Sequence, residues 1–264
     1  MRLFLFLVLG ILYNNNLEDQ MSSDHLLLYC SFEDWTDVDK WEKEICKPGA
    51  LTQTTLVARK GKASIRFELE KSDSSKFRDA VRAELRLPGE KDRERWYGFS
   101  NYLPVNFEAD PLAEIIAQWH EIPDWELGEK WRSPPISLGV ENDRFYVKIL
   151  WAMSAVNTNK SIDGEKKVVL RNVEKGKWND WIFHIRFSYQ SDGIIEIWEN
   201  GQQLFCYNGP NSFNDRHLPY FKIGIYKWGW NGWAAYSPED KRVIYYDEVK
   251  IGDRFANVAT FSVK

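Results

Sequence analysis

Three stretches of this 264-residue chain place polar side chains two residues apart, the spacing that gathers them on one face of a β-strand. In "AVRAELRL", Arg82, Glu84 and Arg86 alternate with Val81, Ala83, Leu85 and Leu87. In "IIAQWHE", Gln118 and His120 share a side and Trp119 points away. In "PYFKIGIYK", Tyr220, Lys222, Gly224 and Tyr226 stand opposite Phe221, Ile223 and Ile225. Singly these are a surface ion-pair ladder, a structural histidine and sheet tyrosines. Together they supply guanidinium, amide, imidazole, ammonium and phenol, with no nucleophile elbow and no His/Cys metal spacing beside them.

That set suits an anionic sugar. Cleaving a 4-linked uronic acid by β-elimination requires removal of the C5 proton, which the neighbouring negative carboxylate makes weakly acidic. Arg82 and Gln118 are candidates to neutralise that carboxylate and the enolate that develops from it. A base must take the C5 proton and an acid must protonate O4 as it leaves, and His120 and Tyr226 are the candidates for both. A free tyrosine titrates near ~10, so Tyr226 as a base needs cations such as Arg82 or Lys222 beside it.

Strands must position these groups. Ala63, Ile65, Phe67 and Leu69 alternate with Ser64, Arg66 and Glu68, and Phe145, Val147, Ile149 and Trp151 alternate with Tyr146 and Lys148. Further strands are expected over 79–87, 96–103, 112–120, 178–189, 193–199, 219–227 and 242–251. Turn clusters separate them: Pro88-Gly89, Ser191-Asp192-Gly193, Asn200-Gly201 and Asn208-Gly209-Pro210. Asn200-Gly201, between "EIWE" and "QQLF", is the strongest hairpin signal. Residues 37–45 and "PDWELGEKW" read as short helices or loops. Many short strands without sustained helical periodicity predict an all-β protein. The expected fold is a β-jelly roll, a concanavalin-like sandwich of two curved antiparallel sheets. With no linker or repeat, residues 24–264 form a single domain behind a leader at 1–23.

The three segments resemble the jelly-roll polysaccharide lyases, whose alginate lyases carry R-x-E-x-R, Q-x-H and Y-x-K-x-G-x-Y strands in this order. "EIIAQWHEIPD", "WNDWIFHIRFSYQSDGIIEIWENGQQL" and the run from "GPN" into "LPYFKIGIY" are more similar to the glucuronan lyase and heparin lyase I branch. The resemblance covers about residues 27–253. It implies a secreted polyuronate lyase in which Arg82 and Gln118 hold the substrate carboxylate. His120 would be base or neutraliser, Tyr226 acid or base, and Lys222 a binding residue, with further substrate contacts from Glu84, Arg86, Lys148, Tyr220 and Trp228. Lys227-Trp228 stands where alginate lyases commonly carry a polar pair ending in Gln, which counts against alginate, and sulfated heparin or heparan chains would want more cationic contacts, so an unsulfated polyuronate, glucuronan first, is the expected substrate. The resemblance further implies a structural calcium ion, held by Glu33 or Asp34 and by Asp247, and no cofactor for catalysis; ordinary strand-end carboxylates are the alternative.

Composition narrows the partners. Thirty-five Lys+Arg against 39 Asp+Glu give a net charge of -4, without the basic footprint that duplex nucleic acid needs. The 13 Trp and 12 Tyr exceed what a simple core requires and suit stacking on sugars. Met1, Arg2 and the apolar run Leu3 to Leu12 read as a secretory signal, too short to span a bilayer. The mature chain is thus expected outside the cell or in the periplasm, as a monomer not inserted in a membrane. Three cysteines cannot form a disulfide framework; Cys30 with Cys46 as one bridge, or three buried thiols, are the options. Arg66, Arg78, Arg86, Lys148, Arg186 and Lys227 are candidates to enrich a cleft in positive charge. Two other classes share the fold: a non-catalytic carbohydrate-binding sandwich, and a glycoside hydrolase with paired carboxylates. For the latter, Glu196 and Glu199 are three apart and therefore fall on opposite strand faces.

Overall fold

The computed structural model describes residues 25–73, 81–230 and 236–260. The expected leader and Arg78 lie outside the described residues. The strands are β1 (Leu26–Cys30), β2 (Glu42–Ile45), β3 (Leu51–Thr54), β4 (Ser64–Glu70), β5 (Arg82–Gly89), β6 (Glu94–Tyr102), β7 (Glu114–His120) and β8 (Ile136–Glu141). They continue as β9 (Arg144–Trp151), β10 (Gly164–Asn172), β11 (Trp178–Arg186), β12 (Ile194–Glu199), β13 (Gln202–Asn208), β14 (Tyr220–Tyr226) and β15 (Lys241–Gly252). The outer sheet runs β13-β12-β11-β6-β15-β4-β3, with β1 also on β15; the inner sheet runs β10-β9-β8-β7-β14-β5-β2. All ladders between these strands are antiparallel, giving the jelly-roll sandwich that the alternation predicts. No described helix is long and apolar enough to cross a membrane.

The apolar faces meet as alternation requires. Ala83 and Leu85 from β5, Trp119 from β7, and Phe221, Ile223 and Ile225 from β14 are buried against Tyr97, Phe99, Phe183 and Tyr246 of the outer sheet. Trp119 packs its ring 4.7 Å from Phe183, 5.0 Å from Phe221 and 5.1 Å from Tyr97. Much of the aromatic excess therefore fills the core rather than a sugar site.

Some local expectations are corrected. Residues 37–45 split into a 3-10 turn, Trp35–Lys40, and strand β2, because only the second half finds an open sheet edge beside β5. Pro88-Gly89 is not a turn: β5 runs through it, and Gly89 pairs with Tyr220 past a register shift. Cys30 and Cys46 are buried free thiols and Cys206 is exposed, so neither the bridge nor three buried thiols is found. Cys30 Sγ accepts from Trp41 Nε1 at 3.4 Å, and Cys46 Sγ accepts from the Arg82 amide at 3.1 Å.

Two bulges bend the floor under the polar groups. The β7–β14 ladder shifts register between Ile223 and Tyr226, and the β7–β8 ladder between Ile115 and Ala117. The Tyr246 hydroxyl crosses from the outer sheet and donates to Ile116 O at 2.5 Å, with Gly224 O at 3.4 Å, so carbonyls at the irregular positions stay satisfied inside the core. Gly224 has φ +134°, and a Cβ there would lie 2.2 Å from Ala83 O. Replacing Gly224 by Ala is therefore expected to cost ~2 kcal/mol or more in a urea unfolding experiment, and to lower activity by displacing Tyr226.

Candidate active site

The outward face of the inner sheet forms the floor of an open cleft of about 490 Å³. β5, β7 and β14 lie side by side, so the three alternating segments meet there as the sequence predicts. Arg82, His120, Lys148, Tyr220, Lys222, Tyr226 and Trp228 all line the cleft. Among the described residues, sixteen line it, including the cations Arg82, Arg132, Lys148 and Lys222 and no carboxylate.

The balancing carboxylates lie behind. Glu44 from β2 and Glu84 from β5 are almost fully buried. Arg82 NH1 lies 2.9 Å from Glu44 Oε2 and 3.2 Å from Glu84 Oε2; Lys222 Nζ lies 2.5 and 3.3 Å from the same two oxygens. Burial opposes charge on Glu44, but Lys222 and Arg82 outweigh it and hold the carboxyl below its ordinary range. Glu84, expected to touch substrate, is a buried strut instead. Gln118 is fully buried too, absent from the cleft wall, with its Nε2 donating to Glu84 Oε1. In this arrangement Gln118 holds Glu84, and contact with a substrate carboxylate passes to groups that reach the cleft. Arg86 is also set back: it pairs with Glu42 at 3.0 Å and stacks 4.3 Å from the Tyr220 ring.

Register divides the floor into two clusters. Arg82 is opposite Tyr226, with its guanidinium 4.3 Å from the phenol ring, and Trp228 packs 5.8 Å from Tyr226. His120 is opposite Tyr220 and stacked on it at 5.5 Å. Tyr220 and Tyr226 are six residues apart on β14, about 20 Å of extended strand before bending. Lys222 stands between the clusters. His120 and Tyr226 thus share a cleft without being neighbours. Burial pushes the Tyr226 phenol above its ordinary range and Arg82 only partly offsets this, so the expected lowering by cations does not win.

Other expected cations divide by sheet. Lys148 stays in the cleft, beside Glu165 at 3.0 Å. Arg66 and Arg186 belong to the outer sheet, paired with Glu68 and Glu94. Lys227 turns inward: its Nζ lies 3.1 Å from both Asp110 and Glu114, which Arg242 shares, all four almost fully buried. This lock fixes the chain immediately after Tyr226. Of the hydrolase candidates, Glu196 binds His184 and Glu199 binds Arg171, both away from the cleft lining.

Sequence reading missed four contributors. Glu44 lies on an unrecognised strand. Tyr146 enters the cleft wall because Gly139 opposite leaves room; a Cβ on Gly139 would meet its ring at 2.3 Å. Glu121 follows His120 where β7 ends, so it can swing to the same side: His120 Nδ1 lies 2.6 Å from Glu121 Oε2 and 3.1 Å from the Glu121 carbonyl. Two oxygens facing Nδ1 favour a proton there and turn Nε2 to other partners. Arg132, nearly fully buried by its side chain, backs Glu121 through its amide, 2.8 Å from Oε1. The Glu121-His120 adjacency was visible but strand alternation argued against contact.

Glu33 and Asp247 are occupied by backbone donors. Asp247 Oδ2 accepts from the amides of Arg59 at 2.7 Å and Lys60 at 3.2 Å, Oδ1 from Glu248; Glu33 Oε1 accepts from Lys62 and Ala63. N–H dipoles on these oxygens account for both carboxylates as anchors of segment 59–63, an arrangement that does not fit a calcium cage.

A sequence model described as polysaccharide lyase matches residues 31–250, and the chain belongs to this family. It is a polysaccharide lyase enzyme. Among solved structures it is similar to an endo-β-1,4-glucuronan lyase from the fungus Trichoderma reesei, at 21% identity and TM-score 0.69 over 83% of this chain and 92% of that one. It is also similar to a family 7 alginate lyase, A1-II', at 9% identity and TM-score 0.55 over 82% and 96% of the two chains. A cellulose-induced protein, Cip1, gives 15% identity and TM-score 0.54 over 86% and 97%. At these identities the likeness establishes the sandwich. No curated protein matches.

Arg82→Ala would remove one of the two cations bonded to both Glu44 and Glu84, leaving Lys222, the longer Arg86–Glu44 contact at 3.9 Å and the Gln118 amide on Glu84. The expected loss is about 3–5 kcal/mol of stability, read by denaturant unfolding, and Arg82→Lys should recover part of it while still losing the stacked plane over Tyr226.

Proposed function

We propose that the enzyme cleaves an unsulfated 4-linked polyuronate, glucuronan first, by β-elimination. The observation that carries this is the cleft itself, whose described lining offers Arg82, Lys148, Lys222, an imidazole and Tyr226 under Arg82, with no acid among the described lining residues to repel uronate. Lys148 and the exposed edge of Arg82 would receive carboxylates of successive sugars, neutralising the one beside the reacting C5, and Lys222 adds its charge from just beneath the floor. The relatives include a glucuronan lyase and an alginate lyase by their names; the gluco reading is preferred because Lys227-Trp228 replaces the polar pair common to alginate lyases. An apolar leader such as Leu3 to Leu12 fits an enzyme that meets its polymer outside the cell.

In this reading Tyr226 carries the proton. As phenolate beside Arg82 it takes hydrogen from C5; the C–H electron pair becomes the C4=C5 double bond, the C4–O4 bond breaks, and O4 leaves with the proton. In a gluco-configured uronate the C5 hydrogen and O4 lie on one face of the ring, so a single group serves both. His120, held by Glu121 at the far cluster, then neutralises a neighbouring carboxylate rather than acting on the same bond.

Incubation with glucuronan should raise ultraviolet absorbance from the 4,5-unsaturated product, and a hydrolase would give none. Tyr226→Phe should abolish turnover with polymer binding retained, while Tyr220→Phe stays active; the opposite pattern would move the reaction centre to the His120 cluster. The phenol lies above its ordinary range, so kcat/KM should climb about tenfold per pH unit through the alkaline range. A plateau beginning near neutrality would instead identify an imidazole base.

A further inference from the structure

The loop between β7 and β8, residues 121–135, is inside out. Four of its six charged side chains are buried: Glu121, Asp124, Glu129 and Arg132 are all at most 5% exposed, while Glu126 and Lys130 stay in solvent. Its large apolar side chains face solvent: Trp125 is 51% exposed, Trp131 42% and Leu127 39%. A surface loop that buried its apolar groups and solvated its charges would be the cheaper choice, since each buried charge must recover its hydration through partners.

Here every partner serves to fix the loop. Arg132 reaches Glu129 Oε1 and Asn157 Oδ1 at 2.8 Å and Asp215 Oδ2 at 2.7 Å. Glu129 Oε2 accepts from the Asp124 amide at 2.9 Å, and the Asp124 carboxylate accepts from the Arg216 amide. Three separate chain segments are thereby tied beneath two tryptophans. The rings continue the cleft outward: Trp131 lies 5.5 Å from His120, edge to face, and Trp125 lies 5.2 Å from Trp131 in the same manner. Trp131, Arg132, Ser133 and Pro134 already line the cleft.

We propose that Trp125 and Trp131 form a rigid ledge that stacks a pyranose residue of the polymer beyond the reacting sugar, extending the binding site past its His120 end. The occupant follows from continuity: a chain lying along the cationic floor and leaving past His120 meets these rings next. A β-linked gluco-configured uronate carries its ring substituents equatorially, so its faces present axial C–H groups to an indole. Rings with axial hydroxyls offer a poorer face, so the ledge favours glucuronan over either component of alginate. A preassembled platform also spares the binding step the cost of ordering side chains. This inference rests on the polyuronate lyase reading.

Trp125 is the clean probe, because its ring is half exposed on the 3-10 turn Trp125–Leu127 and its loss leaves the buried network intact. Trp125→Ala should raise KM for polymeric glucuronan by about five- to tenfold with kcat within about twofold, and Trp125→Phe should recover part of the loss. In the Tyr226→Phe background, glucuronan oligosaccharides long enough to reach the ledge should quench tryptophan fluorescence, and Trp125→Ala should remove that length dependence. An active wild type whose Trp125→Ala variant shows the same KM and the same quenching overturns the ledge and leaves the lyase reading standing. A folded wild type inert on every polyuronate overturns both. A wild-type dimer that becomes monomeric on Trp125→Ala, seen by sedimentation, with KM unchanged, reassigns the rings to self-association and overturns the ledge.

Discussion

The site depends on one electrostatic arrangement: cations at the cleft surface held in place by carboxylates directly behind them. Two like charges at 4 Å repel by about 4 kcal/mol near a protein surface, so Arg82 and Lys222 could not converge without countercharge. Glu44 and Glu84 supply it from the buried side, and Gln118 completes the lattice. A carboxylate in the cleft itself would cancel the field that attracts uronate. Placed underneath, it steadies the cations, leaving an edge of Arg82 to the ligand while Lys222 acts from just beneath the floor.

The same division of charge recurs wherever the floor must be rigid. Lys227 and Arg242 with Asp110 and Glu114 lock the end of β14 beside Tyr226. Arg132 with Glu121, Glu129 and Asp215 braces the loop beside His120. Such buried networks contribute little net stability compared with an apolar core, and their return is fixed geometry. The two locks stand at the two clusters of the floor, Tyr226 and His120, so each candidate reactive group is fixed independently of the other. The aromatic core between the sheets carries the hydrophobic stabilisation, leaving the polar face free to be shaped by charge.

A jelly-roll sandwich does not itself dictate chemistry. What separates this molecule from a passive sugar-binding sandwich is a phenol set under a guanidinium within a cleft that has no carboxylate among its described lining residues. What separates it from a hydrolase is that Glu196 is bonded to His184 and Glu199 is paired with Arg171, both off the cleft lining.

Alternation alone determined much of this. Because strand side chains repeat every second residue, the sequence specified the sandwich and which of Arg82, His120, Lys222 and Tyr226 would face away from the core, and the three segments do meet. It could not supply register, which is set by long-range pairing and by bulges at Gly224 and Ile116, so the separation of His120 from Tyr226 emerged only in three dimensions. Nor could it distinguish a polar side chain that reaches the cleft from one stopped beneath it: Glu84 and Gln118 share the face of Arg82 and His120 yet are buried by their neighbours. Alternation misled for Glu121, which sits where β7 ends and the backbone turns, because a period of two says nothing once the ladder stops, whereas Lys227 keeps the inward parity of Phe221, Ile223 and Ile225. Net charge summed over a chain hides its sign at a surface, and tertiary packing decided that the acids of this slightly acidic protein would lie behind the cleft and its bases within.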